Sequence, residues 1–360
     1  MNKSEFFFHL LQSELYGKPV EGFPVPTEIY RSLLNLSDVE TVMGMYCSAL
    51  MRNNFKLVKY DAVEVYTVLD DLAARNKKVT DEMKALVQLL RGHGVRFVVV
   101  KGQTLAALYP HPDVRMPGDI DFYCDAQNFD LAKKVLEEEW GVTMKADDEG
   151  EQHLTFVHND VHFEMHYRLM KFESRSNQKY FDGLLDRIPC SSIAIDGVEV
   201  PILEPTLNLL YTFLHLYHHF IELGVGLRQF CDVAILLHNQ RFDRDKLTMY
   251  LRKLGFTNAF KAIGVVLVDR LGVAASEFPF VLTDKDRKYE PAIAEIVLKR
   301  GNFGMYGRKN AVRSGIKYYW ETIQIKFSHY FRFFMLSPKE NMARLLFSVP
   351  RKVWQAAKRR

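Results

Sequence analysis

The sequence predicts an α+β protein in which a region of short strands lies between two helical regions. Three observations predict it: apolar residues at helical spacing with few breakers over residues 4–91, short β-branched or alternating runs between 95 and 168, and a return to helical spacing from 204 onward. The expected divisions are a helical N-terminal region over 1–93, a strand-bearing core over 94–203, and a helical C-terminal domain with a basic aromatic tail over 204–360. A chain of 360 residues has material for two or three packed units. With 48% hydrophobic and 26% charged residues it has ordinary globular composition, which excludes disorder on the scale of a domain.

In the first region the stripe runs through Leu33, Leu34 and Leu36, then Val42, Met45 and Leu50, then Val63 to Leu72, and last Met83 to Leu90. Gly92 and Gly94 end it. Val-Arg-Phe-Val-Val-Val at 95–100 then reads as a buried strand bounded by glycine on both sides. A short helix is expected over 103–108, up to Pro110 and Pro112, and a second strand, Asp-Ile-Asp-Phe-Tyr-Cys, over 119–124. A helix over 128–140 follows, and then two extended runs, 152–158 and 161–168, joined by Asn159-Asp160 as a two-residue hairpin turn. Helical patterns cover 204–238, 246–271 and 316–337, with Leu207, Leu210, Leu214 and Tyr217 on one stripe.

No window reaches the roughly 18 uncharged apolar residues that span a bilayer. The first residues lack a secretory pattern, so a cytoplasmic protein is expected. Cys47, Cys124, Cys190 and Cys231 have no paired spacing, which argues against a zinc ribbon or disulfide framework and reads as four small core residues. Charge is unevenly placed: residues 299–360 hold 15 Lys and Arg against 2 acidic residues, a net +13, while the rest of the chain is at −9.

In a strand, alternate side chains share a face, so Asp119 and Asp121 project together while Ile120 and Phe122 face the core. Two carboxylates placed so closely repel unless a cation lies between them, and hard oxygen ligands suit Mg²⁺ shared with phosphates. The alternative is a solvated strand end beside a turn. Gly102, opening a short helix after the first strand, would let a phosphate approach the backbone amides; it also serves as a plain turn residue. Along 161–168, Val161, Phe163, Met165 and Tyr167 form an apolar face, with His162, Glu164, His166 and Arg168 on the other. Glu164 is the expected third carboxylate, as a metal ligand or as the base for an attacking hydroxyl.

These residues carry a resemblance. Val-Val-Val-Lys-Gly at 98–102, Arg115, Gly118-Asp119-Ile120-Asp121-Phe122 and Phe163-Glu164-Met165-His166 resemble the polymerase-beta-like nucleotidyltransferase superfamily. More narrowly, they look like a largely uncharacterised bacterial family of that superfamily in which Lys-Gly precedes Gly-Asp-Ile-Asp, and Leu-Arg-Gln-Phe-Cys-Asp at 227–232 is similar to another of its motifs. The resemblance implies a mixed sheet flanked by helices, with Asp119 and Asp121 binding two Mg²⁺ ions and Glu164 at the position of a third carboxylate that helps activate the acceptor hydroxyl. It implies transfer of a nucleoside monophosphate from an NTP, ATP being the expected donor, to an acceptor hydroxyl. Many relatives carry Gly-Ser where this chain has Lys101-Gly102; here Lys101 would supply charge, and Thr104 a hydroxyl, to the phosphates.

Arg115 and Gly118, beside the Asp pair, and Arg228 and Asp232 in the helical region are further candidate nucleotide or acceptor contacts. Their plain readings are a surface ion pair for Arg115 and an i, i+4 helix-surface pair for Arg228 and Asp232. His215, His218 and His219 read as packing near the cleft, and His162 with Glu164 and His166 as a transition-metal alternative. In the tail, Tyr318, Tyr319, Trp320, Phe327, Tyr330, Phe331, Phe333 and Phe334 run round most of a helix, as in a largely buried helix. Contact with an anionic membrane surface, or less favoured with nucleic acid, is the functional alternative. The expected acceptor is a small molecule or glycan. The rival classes are a non-catalytic nucleotide-binding module of the same fold and a toxin-like transferase acting on tRNA or protein.

Overall fold

A computed structural model describes residues 3–146, 152–186, 190–308 and 315–348. Four helices open the chain: α1 (Lys3–Tyr16), α2 (Thr27–Val39), α3 (Met43–Arg52) and the long α4 (Lys59–Gly92). Then come β1 (Phe97–Val100), α5 (Gly102–Ala106), β2 (Ile120–Cys124), α6 (Ala126–Glu139), β3 (Lys145–Ala146), β4 (His153–His158), β5 (Val161–His166) and α7 (Arg175–Leu184). A hairpin, β6 (Cys190–Ile195) and β7 (Val198–Leu203), precedes α8 (Pro205–Glu222), α9 (Leu227–Asn239), α10 (Arg244–Leu254) and α11 (Thr257–Asp269). The remaining helices are α12 (Asp284–Arg287), α13 (Glu290–Arg300), α14 (Gly315–Arg332) and α15 (Pro338–Ala343).

The strands form a mixed five-stranded sheet of order β1-β2-β5-β4-β3, in which β2 and β5 are parallel and the other neighbours antiparallel. Alternation along each strand divides the apolar residues between two cores. Phe97, Val99, Ile120, Phe122, Phe163 and Met165 pack against Met83, Leu86 and Leu90 of α4 and Val135 and Leu136 of α6. Val98 and Val100 face the other way, into a core that runs continuously from α1 and α3 to α8, α9 and α11. The expected divisions at 93/94 and 203/204 are therefore changes of secondary structure, and both helical regions share one apolar interior.

Several local expectations shift. Asn159 and Asp160 have φ of 47° and 56°, the left-handed pair that a two-residue hairpin turn requires. Asp196 and Gly197, at 47° and 78°, form a second such turn; this Asp-Gly signal stands in the sequence, and the β6–β7 hairpin it makes was not expected. The helical pattern over 204–238 is broken between Glu222 and Leu227, and that over 246–271 at Gly255, which closes α10 with φ of 79°. Cys190 is exposed, so it is not a core residue like the other three cysteines. In α14 the aromatic girdle is divided: the helix packs on α8, Tyr330 and, just beyond the helix, Phe333 are buried, and Trp320 is 62% and Phe331 71% exposed. The end of the basic tail, from residue 349, lies outside the described residues. Among the described residues no helix is long and apolar enough to cross a membrane.

A tertiary cap fixes α9. Gly226 precedes it with no side chain to serve the first amides, and Glu40 reaches across from the end of α2 instead. Its Oε2 accepts from the Leu227 amide at 3.0 Å and its backbone carbonyl from the Arg228 amide at 3.3 Å. A Cβ on residue 226 would stand 2.9 Å from that carbonyl, so glycine is what lets the two segments close. Burial pushes the Glu40 carboxyl up to about 8, against the lowering effect of the Leu227 amide. The folded protein then keeps a proton on Glu40 between its ordinary 4.5 and about 8, whereas the unfolded chain has lost it. Stability is expected to fall as pH rises through that window, and Glu40→Gln is expected to flatten the fall in urea unfolding compared at about pH 5 and about pH 8. Equal slopes for the two proteins would show that Glu40 is not the group responsible.

Candidate active site

The polar face of the sheet opens into a cleft of about 490 Å³, closed on the far side by α8 and α9. β2 and β5 are held in register with Asp121 beside Glu164, so two of the three expected carboxylates sit on adjacent parallel strands. Asp119 lies immediately before β2 and lines the same cleft. Its carboxylate makes no hydrogen bond or ion pair among the described residues. The cleft walls, and then the charges of Glu164 and Asp121, push the Asp119 carboxyl above its ordinary value.

Asp121 is in the opposite situation. Lys101 Nζ lies 2.7 Å from its Oδ1 and His166 Nε2 lies 3.0 Å from the same oxygen. Burial alone would raise this carboxyl, but the ammonium and then the imidazole hold it well below the usual carboxylate range. Burial likewise opposes the charged form of His166, and its hydrogen bonds to Asp121 and Glu164 more than offset that, so the imidazole is raised. Lys101 has φ of 58° and ψ of −149°, a region that favours glycine strongly. Holding a lysine there costs on the order of 1–3 kcal/mol. The Asp121 ion pair and the Tyr211 ring, 6.0 Å from Nζ, hold the side chain across the sheet edge. Gly102 follows with φ of 48°, so the turn into α5 is left-handed at both residues. Thr104 is buried, donates its hydroxyl to the Lys101 carbonyl at 2.7 Å, and does not line the cleft.

The helix-surface reading of Arg228 and Asp232 is replaced by a tertiary one. Arg115 meets Asp232 side-on, Nε to Oδ1 at 2.7 Å and Nη2 to Oδ2 at 2.8 Å, and the Tyr109 hydroxyl donates to Oδ1 at 2.8 Å. All three side chains are buried, so Arg115 is not a surface ion-pair residue in a loop. Arg228 instead donates to the Met116 carbonyl at 2.9 Å and passes 3.6 Å from where a Gly118 Cβ would be, which brings its guanidinium beside the Asp pair. Arg115, Gly118, Arg228 and Asp232 all line the cleft.

His215, His218 and His219 line the helical wall. Burial, then the Lys101 charge, keeps His215 neutral, and burial takes His219 down to about 3. His162, expected to share the Glu164 face, is exposed; His153, directly across from His166 on β4, joins the cluster in its place. That position was readable: an Asn159-Asp160 two-residue turn sets 153 opposite 166. Thr41, Tyr211 and Asn302 also line the cleft and carry no sequence signal, and Gln229 of the 227–232 stretch lines it as well.

Of the expected site residues, the fold thus gathers Lys101, Gly102, Arg115, Gly118, Asp119, Asp121, Glu164, Arg228 and Asp232 in one cleft and leaves out Thr104. The class that this sheet and cleft define is an α+β protein with a mixed sheet flanked by helices and a polar cleft on one sheet face. Residues 30–272 match the model of a family described as an uncharacterised nucleotidyltransferase; the match covers more than half of the chain, which belongs to that family. Comparison with curated proteins finds no match. Among solved structures, the crystal structure of an antigenic nucleotidyltransferase-like protein from Paracoccidioides brasiliensis aligns with 59% of this chain and 97% of that one, at 13% identity and a TM-score of 0.41.

Proposed function

We propose that the protein moves a nucleoside monophosphate from a Mg-bound NTP, ATP in the first place, to the hydroxyl of a small-molecule or glycan acceptor. The observation that carries this reading is the grouping of Asp119, Asp121 and Glu164 on one polar sheet face beside two cations, Lys101 and Arg228. The donor set fits: Asp119 has no hydrogen-bond or ion-pair partner among the described residues, and Asp121 is held ionised. Bound there, divalent ions would neutralise the charge that develops on the phosphates. The chain's own groups do the rest. Asp119 and Asp121 would hold those ions, and Arg228 is placed to meet phosphate oxygens. Lys101, whose ammonium pairs with Asp121 at the cleft wall, is within the same site and supplies a second positive charge for the phosphates. Glu164 accepts the acceptor's proton as its oxygen bonds to the α-phosphorus, the bond from that phosphorus to the bridging oxygen breaks, and pyrophosphate leaves.

A second reading has one observation in its favour. With its ammonium already against Asp121, Lys101 is an internal counter-ion, as a non-catalytic nucleotide-binding module would have. Incubating the full chain with Mg²⁺, α-labelled NTPs and a cell extract separates the two. Transfer predicts pyrophosphate release and label on an acceptor, and the position of the label separates small molecules and glycans from RNA and protein. Nucleotide uptake in calorimetry without pyrophosphate favours the module, and absence of any Mg-dependent uptake removes both readings.

A further inference from the structure

The sheet face holds donors that magnesium chemistry does not use. Glu164 lies on β5 between two strands, with Asp121 beside it on β2 and β4 on its other side. Its two oxygens are turned toward different imidazoles: Oε2 is 3.3 Å from His166 Nε2 and Oε1 is 3.7 Å from His153 Nε2. His153 and His166 are register partners on antiparallel strands, their rings 4.8 Å apart, and the donor atoms of all three residues lie within 4.8 Å of one another.

We propose that His153, Glu164 and His166 form a second cation seat beside the Asp119 and Asp121 pair, one that takes a borderline transition-metal dication of the zinc or cobalt class in preference to magnesium. Two imidazoles and one carboxylate match such ions, whereas magnesium takes oxygen and keeps its water. Donors about 2.1 Å from a tetrahedral ion stand roughly 3.4 Å apart, which the 3.3 Å between Glu164 Oε2 and His166 Nε2 matches; one donor atom from each of the three residues lies within 4.8 Å of the others, so a small turn of the His153 ring completes the set. The donors come from rigid paired strands, so little has to be ordered when an ion arrives. His166 Nε2 now joins the Glu164 and Asp121 carboxylates; an ion would take the place of its proton and draw the same oxygens together. One Glu164 oxygen suffices for the ion, which leaves the other for the acceptor's proton in the proposed transfer. The inference shares Glu164 with the proposed transfer reaction but does not depend on any transfer taking place.

The test is a cobalt(II) titration of the metal-free full chain, followed by visible absorption and by calorimetry, with magnesium as competitor. One cobalt ion per chain is expected, with the visible bands of imidazole coordination and little displacement by a large excess of magnesium. His153→Ala, at a half-buried position, is expected to weaken uptake by more than ~10-fold with its thermal unfolding intact, and His166→Ala to do likewise. Asp119→Asn is expected to leave cobalt uptake in place while removing Mg-nucleotide uptake. Unchanged cobalt affinity in folded His153→Ala, or loss in Asp119→Asn alone, would overturn the second seat and leave the Asp pair as the place where the ion binds.

Discussion

Asp119→Asn is expected to lower nucleotidyl transfer by at least ~10²-fold, the effect of withdrawing several kcal/mol of metal-mediated charge stabilisation, without costing the fold. Asp119 has no hydrogen-bond or ion-pair partner among the described residues, and burial, then the adjacent charges of Glu164 and Asp121, already disfavours its ionised form. Replacing it with a neutral amide should therefore leave the free energy of unfolding unchanged or slightly raised. Asp121→Asn makes the contrast. It would deprive Lys101 of its counter-charge in a buried setting, and a destabilisation of about 3 kcal/mol or more is expected alongside the lost activity. Urea unfolding and calorimetric Mg-nucleotide titration of both variants separate ligation from stability. If Asp119→Asn bound Mg-nucleotide like the parent protein, the carboxylate pair would not be the cation seat, and the proposed reaction would lose its basis.

The second large effect is expected at the buried pair beneath the cleft. Asp232→Ala leaves the Arg115 guanidinium and the Tyr109 hydroxyl without their common acceptor, at sites that are 4% exposed for each of the two. Removing one member of such a pair typically costs about 3–5 kcal/mol, mostly through the charge left behind. Replacing both charges, as in Arg115→Met with Asp232→Leu, should recover much of that loss, because the burial cost of the ions goes with them. Unfolding free energies for the two single variants and the double variant provide the measurement. A cost below about 1 kcal/mol for Asp232→Ala would mean that water reaches Arg115, and that the pair does not hold the loop before Asp119 against α9.

The carboxylates were legible because strand alternation is local. A period of two over 119–124 and 161–166 places Asp119, Asp121 and Glu164 on polar faces whatever those strands pair with. The same rule, taken through the Asn159-Asp160 turn, puts His153 opposite His166. The partners of Arg115 and Arg228 were not legible. Arg228 and Asp232 share a helix, yet the charge that satisfies Asp232 comes from a residue more than a hundred positions away in the chain. Sequence distance carries no information about such a pair, since what brings its members together is the packing of α9 over the loop before β2. The aromatic tail was misread for a related reason: composition tells that a helix has apolar area, not how much of it finds a neighbour.

The sequence by itself determined the helix-strand-helix order, the carboxylate pair and its glycine turn, and the third carboxylate, all features fixed within a few residues by backbone geometry and side-chain alternation. Only the tertiary structure decided that β2 and β5 lie side by side with Asp121 against Glu164, that Lys101 neutralises Asp121, and that Glu40 caps α9 from the other helical region. The physical reason is that strand partners, buried charges and free helix ends are satisfied by whatever the shared apolar core brings within about 3 Å of them.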